Sequence, residues 1–178
     1  MFALHALAML FNILLAPADE LVIHSFKNGL VGVRAASGDV HLSVRRDPSG
    51  PDQPVLHVEY PAPTNNAAGR DVQCEAENRN WSRGRAVSFL VRPAHAQRLS
   101  VSFFDRNRVV YTHWADLKEG VWQAVQFSFQ AMKPNPYFQP PDAKQGSPID
   151  VSDVAFIAFA PQDRTAGELA ISSFVVEN

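Results

Sequence analysis

Leu99-Ser100-Val101-Ser102-Phe103-Phe104-Asp105-Arg106-Asn107-Arg108 is the stretch that decides the fold class. Leu99, Val101 and Phe103 alternate with Ser100 and Ser102, the period of a strand with one face buried. Asp105 to Arg108 has the composition of a tight connection. Val110-Tyr111-Thr112-His113-Trp114 then alternates again, so the two runs read as a hairpin. Moving outward, the same period recurs at Val87/Phe89/Val91 and Val125/Phe127/Phe129. It recurs again at Leu56/Val58/Tyr60 and Val40/Leu42/Val44. Val154 to Ala160 is apolar on both faces, which predicts a strand covered on both sides.

Turn chemistry separates these runs. Asp47-Pro48-Ser49-Gly50-Pro51 and Lys118-Glu119-Gly120 are turn clusters, and Pro61 to Gly69 is a longer loop. Lys133 to Pro148 is a loop holding five of the 13 prolines. A missing N–H is tolerated in such gaps and not inside a sheet. No helical period is sustained after Ala18, and no repeat or linker divides the chain. Roughly ten short strands with regular turns predict an antiparallel β-sandwich. We expect one domain over residues 19–178.

Composition narrows the function. The chain has 178 residues, 46% hydrophobic and 19% charged, which suits one packed core and not a disordered segment. Sixteen basic and 18 acidic residues give a net charge of −2. That balance offers no basic excess for a phosphate backbone, so nucleic acid is not an expected partner. Cys74 is the single cysteine, which excludes an intrachain disulfide and a cysteine-built zinc site. It reads as a small half-buried strand residue.

Residues Met1 to Ala18, MFALHALAMLFNILLAPA, carry no Lys, Arg, Asp or Glu. The run is short for a bilayer span and ends in Ala16-Pro17-Ala18 before Asp19 and Glu20. It reads as a secretory signal peptide, with Asp19 as the first mature residue. The expected protein is exported, to the periplasm or the extracellular space, and holds no membrane segment once mature.

From Trp81 onward a longer order is visible. Trp81-Ser82-Arg83-Gly84-Arg85 leads into a strand ending Val91-Arg92-Pro93, and the hairpin follows. Gly120-Val121-Trp122-Gln123 opens the next strand. Ile149-Asp150-Val151-Ser152-Asp153-Val154, an apolar strand and Gly167-Glu168-Leu169-Ala170-Ile171 complete it. This order resembles the galactose-binding-domain-like jelly roll, a fold that includes many carbohydrate-binding modules attached to, or secreted beside, glycoside hydrolases. The resemblance implies a jelly-roll sandwich and a non-catalytic, carbohydrate-binding function. Two places depart from the family. Ile171-Ser172-Ser173-Phe174 stands where an Ile-Asp-Asp-like stretch is common, and His24-Ser25-Phe26-Lys27 where an Asp-Phe-Glu pattern is common. Calcium wants about six to eight oxygens, several of them anionic, so the family's structural calcium is not carried over. No other cofactor is expected.

Sugars bind by stacking their C–H faces on rings, so the aromatics come first. Trp81, Tyr111, Trp114, Tyr137 and Phe138 are candidates. Tyr137 and Phe138 sit in Asn135-Pro136-Tyr137-Phe138-Gln139-Pro140-Pro141, a stiff loop that either edges a ligand site or folds back to plug the sandwich. Trp122 reads as core and Trp114 as packing at a strand end. Arg79, Asn80 and Arg83 are candidates to hydrogen-bond sugar hydroxyls. Asp105 and Asn107 read first as turn residues. Asn80-Trp81-Ser82 is a formal glycosylation acceptor.

Catalytic patterns are absent from the sequence. The histidines (5, 24, 41, 57, 95 and 113) form no metal-ligand spacing, and His41 and His57 read as surface or edge positions. No carboxylate pair is singled out for the ~5–9.5 Å separation of a glycosidase. The expectation is a monomeric binding module without enzymatic activity, with Trp81, Tyr137, Phe138, Arg79, Asn80 and Arg83 as its site. A sandwich docking a protein partner is the second reading, and a small glycan-active hydrolase the third.

Overall fold

A computed structural model describes residues 21–63, 70–144 and 148–178. The N-terminal stretch read as a signal peptide lies outside the described residues. Two antiparallel sheets face each other. The larger runs β1 (Leu21–His24), β12 (Phe174–Glu177), β6 (Ala86–Pro93), β11 (Gly167–Ile171), β4 (Pro54–Tyr60) and β3 (His41–Arg46). β9 (Gln123–Ser128) lies on the other edge of β6. The smaller runs β2 (Val33–Ala35), β5 (Val72–Glu75), β10 (Val154–Pro161), β7 (Gln97–Asp105) and β8 (Val110–Leu117). The chain crosses between sheets from β6 to β7 and from β8 to β9, as a jelly roll requires.

The period-two residues meet between the sheets. Leu99, Val101 and Phe103 of β7 face Val87, Phe89 and Val91 of β6 across a common core. Fully burying such a side chain contributes about 1.5–3 kcal/mol. The β7–β8 hairpin is held by one acid. Asp105 Oδ1 accepts the N–H groups of Asn107 (2.9 Å) and Val109 (3.1 Å). Its Oδ2 accepts that of Asp150 at 2.9 Å. Arg108 takes the left-handed conformation, φ 61°. Asp105 is therefore a buried turn residue, as its local chemistry indicated.

β11 and β12 lie end to end along one edge of β6, separated by Ser172-Ser173. At this break the edge beyond changes from β4 to β1. Both serines are buried. Ser172 Oγ accepts the Leu90 N–H at 2.7 Å, and Ser173 Oγ donates to the Ser25 carbonyl at 3.2 Å. The pair that departs from the family's acids thus satisfies backbone groups that the interrupted ladder leaves open.

Three aromatic readings change. Trp81 is wholly buried, edge-on to Phe103 and stacked on Phe129, each about 6.1 Å between ring centroids. Its Nε1–H donates to the Asn78 carbonyl at 2.7 Å, which lets an indole sit in a core. Trp122, read as core, lies instead over the Arg92 guanidinium, 5.7 Å from its ring centre. Trp114, read as packed, is 41% exposed. His57 also departs from expectation. It is buried on β4 between its register partners Ser43 and Ala170, with Nδ1 2.7 Å from Glu168 Oε1.

Candidate functional site

The outward residues of the smaller sheet form three cross-strand rows. Ala160, Ser100 and Trp114 are register partners, as are Ala158, Ser102 and Thr112. The third row is Phe156, Phe104 and Val110, with the Phe156 and Phe104 rings stacked 4.1 Å apart. Two rows of short side chains beside a row of rings make a floor with a raised border. β10 was expected to be covered on both faces. Its inner face meets the core, and on its outer face Ala158 and Ala160 are likewise buried, at the bottom of an open groove of about 680 Å³.

One flank of the groove is aromatic: Trp114 from β8, then Tyr137 and Phe138 from the proline-rich loop. The two loop rings are 86% and 59% exposed. They do not fold back into the sandwich. Two amides fasten this loop to the edge of β8. The Asn135 N–H donates to the Val110 carbonyl at 2.7 Å. Asn135 Nδ2 donates to Thr112 Oγ1 at 2.8 Å, while its Oδ1 accepts the N–H groups of Tyr137 (2.8 Å) and Phe138 (3.1 Å). Gln139 Oε1 accepts the Val110 N–H at 2.9 Å, and its Nε2 donates to the Val110 carbonyl at 2.7 Å. A side chain thus takes the place of a neighbouring strand at this edge. Pro136, Pro140 and Pro141 limit the backbone of the same loop.

The other flank carries Pro63, Arg70, Asp71 and Gln162. Arg70 is engaged elsewhere: its guanidinium bonds Asp163 and the Thr165 carbonyl (3.2 Å) and lies 5.4 Å from the Tyr60 ring centre. Burial alone would raise the Asp163 carboxyl, but hydrogen bonds from Thr165 and His95 and the nearby positive charges hold it below the usual range. Asp71 precedes β5 and faces the groove. Burial pushes its carboxyl up, and its own N–H and Arg70 only partly offset this. Gln162 Nε2 donates to Ser100 Oγ at 2.9 Å and so continues the polar floor.

The structure separates the six residues expected from sequence. Tyr137 and Phe138 line the groove; Arg79, Asn80, Trp81 and Arg83 do not. Trp81 offers no ring face to a ligand. Arg79 pairs with Asp153 (Nε–Oδ1 2.6 Å). Asn80 Oδ1 accepts the Ser82 hydroxyl at 2.6 Å and its N–H at 3.1 Å, which is turn chemistry. Arg83 is exposed in the same turn. Tyr111 is buried in the core. Trp114, a candidate aromatic read as packing at a strand end, belongs to the groove, and Asp71, Asn135 and Gln139 were not selected from the sequence. Alternation with Thr112 placed Trp114 on the outer face, and an Asn two residues before Tyr137 is a turn signal. Nothing local marks Asp71.

Cys74 is buried on β5, where burial pushes its thiol far up. Among the described residues no group of three or more His, Cys, Asp or Glu is gathered in a way that could hold a metal ion. Among them, too, no helix is long and apolar enough to cross a membrane.

No family model and no curated protein sequence matches the chain. Solved structures do. The family 11 carbohydrate-binding module of the cellulosomal cellulase Lic26A-Cel5E of Clostridium thermocellum superposes with a TM-score of 0.67 at 17% identity. That match covers 89% of this chain and 95% of the other. A family 11 module from Clostridium thermocellum, in complex with a β-1,3-1,4-mixed-linked tetrasaccharide, gives 0.67 at 16% identity, covering 90% and 97%. An exo-β-agarase matches with a TM-score of 0.62 at 14% identity, covering 89% of this chain but 26% of the enzyme. The two sheets and their crossovers, overlaid along nearly the whole of two such modules, make the fold of this chain the jelly roll of carbohydrate-binding modules.

Proposed function

We propose that the chain is a non-catalytic glycan-binding module and that the groove on the smaller sheet is its site. One observation carries this reading. Three exposed rings, Trp114, Tyr137 and Phe138, stand along one flank of a groove whose floor is made of short, partly hydroxylated side chains. The rings offer apolar faces to pyranose C–H groups. Ser100, Ser102, Thr112, Gln162 and Asp71 offer hydrogen-bonding groups for hydroxyls. The fold shared with carbohydrate-binding modules supports the same class of ligand. Arg79, Asn80, Trp81 and Arg83 have no part in it.

Asp71 is the one carboxylate among the described residues lining the groove. A glycosidase generally uses two, about 5–9.5 Å apart, so the geometry favours binding over hydrolysis. Affinity electrophoresis against soluble neutral polysaccharides (mixed-linkage β-1,3-1,4-glucan, xylan, agarose) tests the proposal. Retardation by at least one, without release of reducing ends, is the expected result; no retardation by any overturns it. We also propose export of a monomeric domain beginning at Asp19. N-terminal sequencing and light scattering of the mature protein check both points.

A further inference from the structure

We propose that Asp71 makes the groove selective for uncharged glycan chains, by accepting hydroxyl donors and repelling chains that carry carboxylate or sulfate. The inference rests on the glycan-binding reading above and concerns which glycans it covers. Among the described residues, Arg70 and Asp71 are the two charged ones lining the groove. Arg70 is held by Asp163 and the Thr165 carbonyl. Among the described residues Asp71 has no ion-pair partner and, beyond its own N–H, no hydrogen bond to its carboxylate. The groove therefore shows a ligand a carboxylate whose charge Arg70 offsets only in part.

The fold does not need that charge. Asp71 anchors its neighbourhood through its main chain, whose carbonyl accepts the Ala36 N–H at 2.8 Å. The carboxylate caps no helix and closes no turn. Partial burial of an unpaired carboxylate works against folding. An acid standing where the fold gains nothing from it points to the ligand. A carboxylate accepts hydrogen bonds from hydroxyls more strongly than a neutral group does. A like charge brought to the same place is repelled, and such repulsion is a common source of specificity.

Wild type and Asp71→Asn are titrated with mixed-linkage β-glucan and with the same polymer lightly carboxymethylated, at low and high salt. Wild type is expected to prefer the uncharged polymer by roughly tenfold at low salt, equivalent to ~1.4 kcal/mol. High salt should shrink that preference, because the screening length falls from about 10 Å at 0.1 M to about 3 Å at 1 M. Asp71→Asn should bind the uncharged polymer more weakly and lose most of the preference. Its thermal midpoint at neutral pH should equal or exceed that of wild type, which a structural acid would not allow. Equal binding of both polymers by wild type at low salt, or an unchanged preference in Asp71→Asn, overturns the role of Asp71 and leaves the glycan reading standing. Failure of wild type to bind either polymer, or any neutral glycan of the wider panel, removes both.

Discussion

One carboxamide joins the groove floor to the aromatic rim: Asn135 donates to Thr112 Oγ1 at 2.8 Å and accepts the main-chain N–H groups of Tyr137 and Phe138. Thr112 Oγ1 in turn lies 2.7 Å from Ser102 Oγ. The rings are thereby referenced to the sheet and not only to their own loop. Asn135→Ala breaks this reference. Of its partners only the Thr112 hydroxyl is buried, and losing the carboxamide costs about 1 kcal/mol. We expect a thermal midpoint a few degrees lower, and an affinity loss at least as large as that of removing one ring. Calorimetry and glycan titration on the same sample check it. Undiminished affinity would mean that the prolines alone hold the loop.

Tyr137→Ala, Phe138→Ala and Trp114→Ala should separate binding from folding. All three rings are substantially exposed, so the thermal midpoint should stay within about 2 °C of wild type. Each ring should contribute about 0.5–1.5 kcal/mol, read as a roughly twofold to tenfold loss of affinity. Full affinity in all three variants would move the site away from this flank.

Trp81→Ala should behave in the opposite way. Removing a wholly buried indole that packs on Phe103 and Phe129 costs about 3–5 kcal/mol. Urea unfolding should show that loss, and Trp81→Phe a smaller one. A loss below about 1 kcal/mol would contradict the buried position.

Asp47 links stability to acid pH. Burial would raise its carboxyl, but the Ser49 hydroxyl and N–H and the Arg92 guanidinium together bring it from 3.8 down to about 2. A carboxyl lowered in the folded state stabilises fully above its unfolded value. That contribution is lost as pH falls from about 3.8 through about 2. Asp47→Asn should therefore lower the thermal midpoint at pH 7, and the gap to wild type should close as pH approaches 2. A gap constant across that range would rule out the linkage.

The longer strands were legible because each carries its own signal, while the three-residue β2 does not. Leu99, Val101 and Phe103 announce a buried face without reference to anything distant. The candidate site was only half legible, because whether an outer face is covered depends on the whole chain. Trp114 shares a face with Thr112 by alternation, but nothing nearby says that the face is open. Trp81 fails for the complementary reason. Its neighbours Arg79, Asn80 and Ser82 look like an exposed turn, while its burial is decided by Phe103 and Phe129, remote in sequence. For Tyr137 and Phe138 the stiff loop left two readings open, a ligand edge or a plug of the sandwich, and their exposure depends on the loop's ties to β8. Asp71 left no trace, since an acid before a strand is ordinary until its partners are known to be missing.

Along β7 and β10 the residues that hold the sandwich together and those that floor the groove take alternate places. Heredity can therefore edit the two independently. A methyl added at Ser100 or Ala160 makes the groove shallower while the core one residue away is unaltered. Depth, width and polarity of the cleft can drift among descendants of one ancestral sandwich with no intermediate that fails to fold.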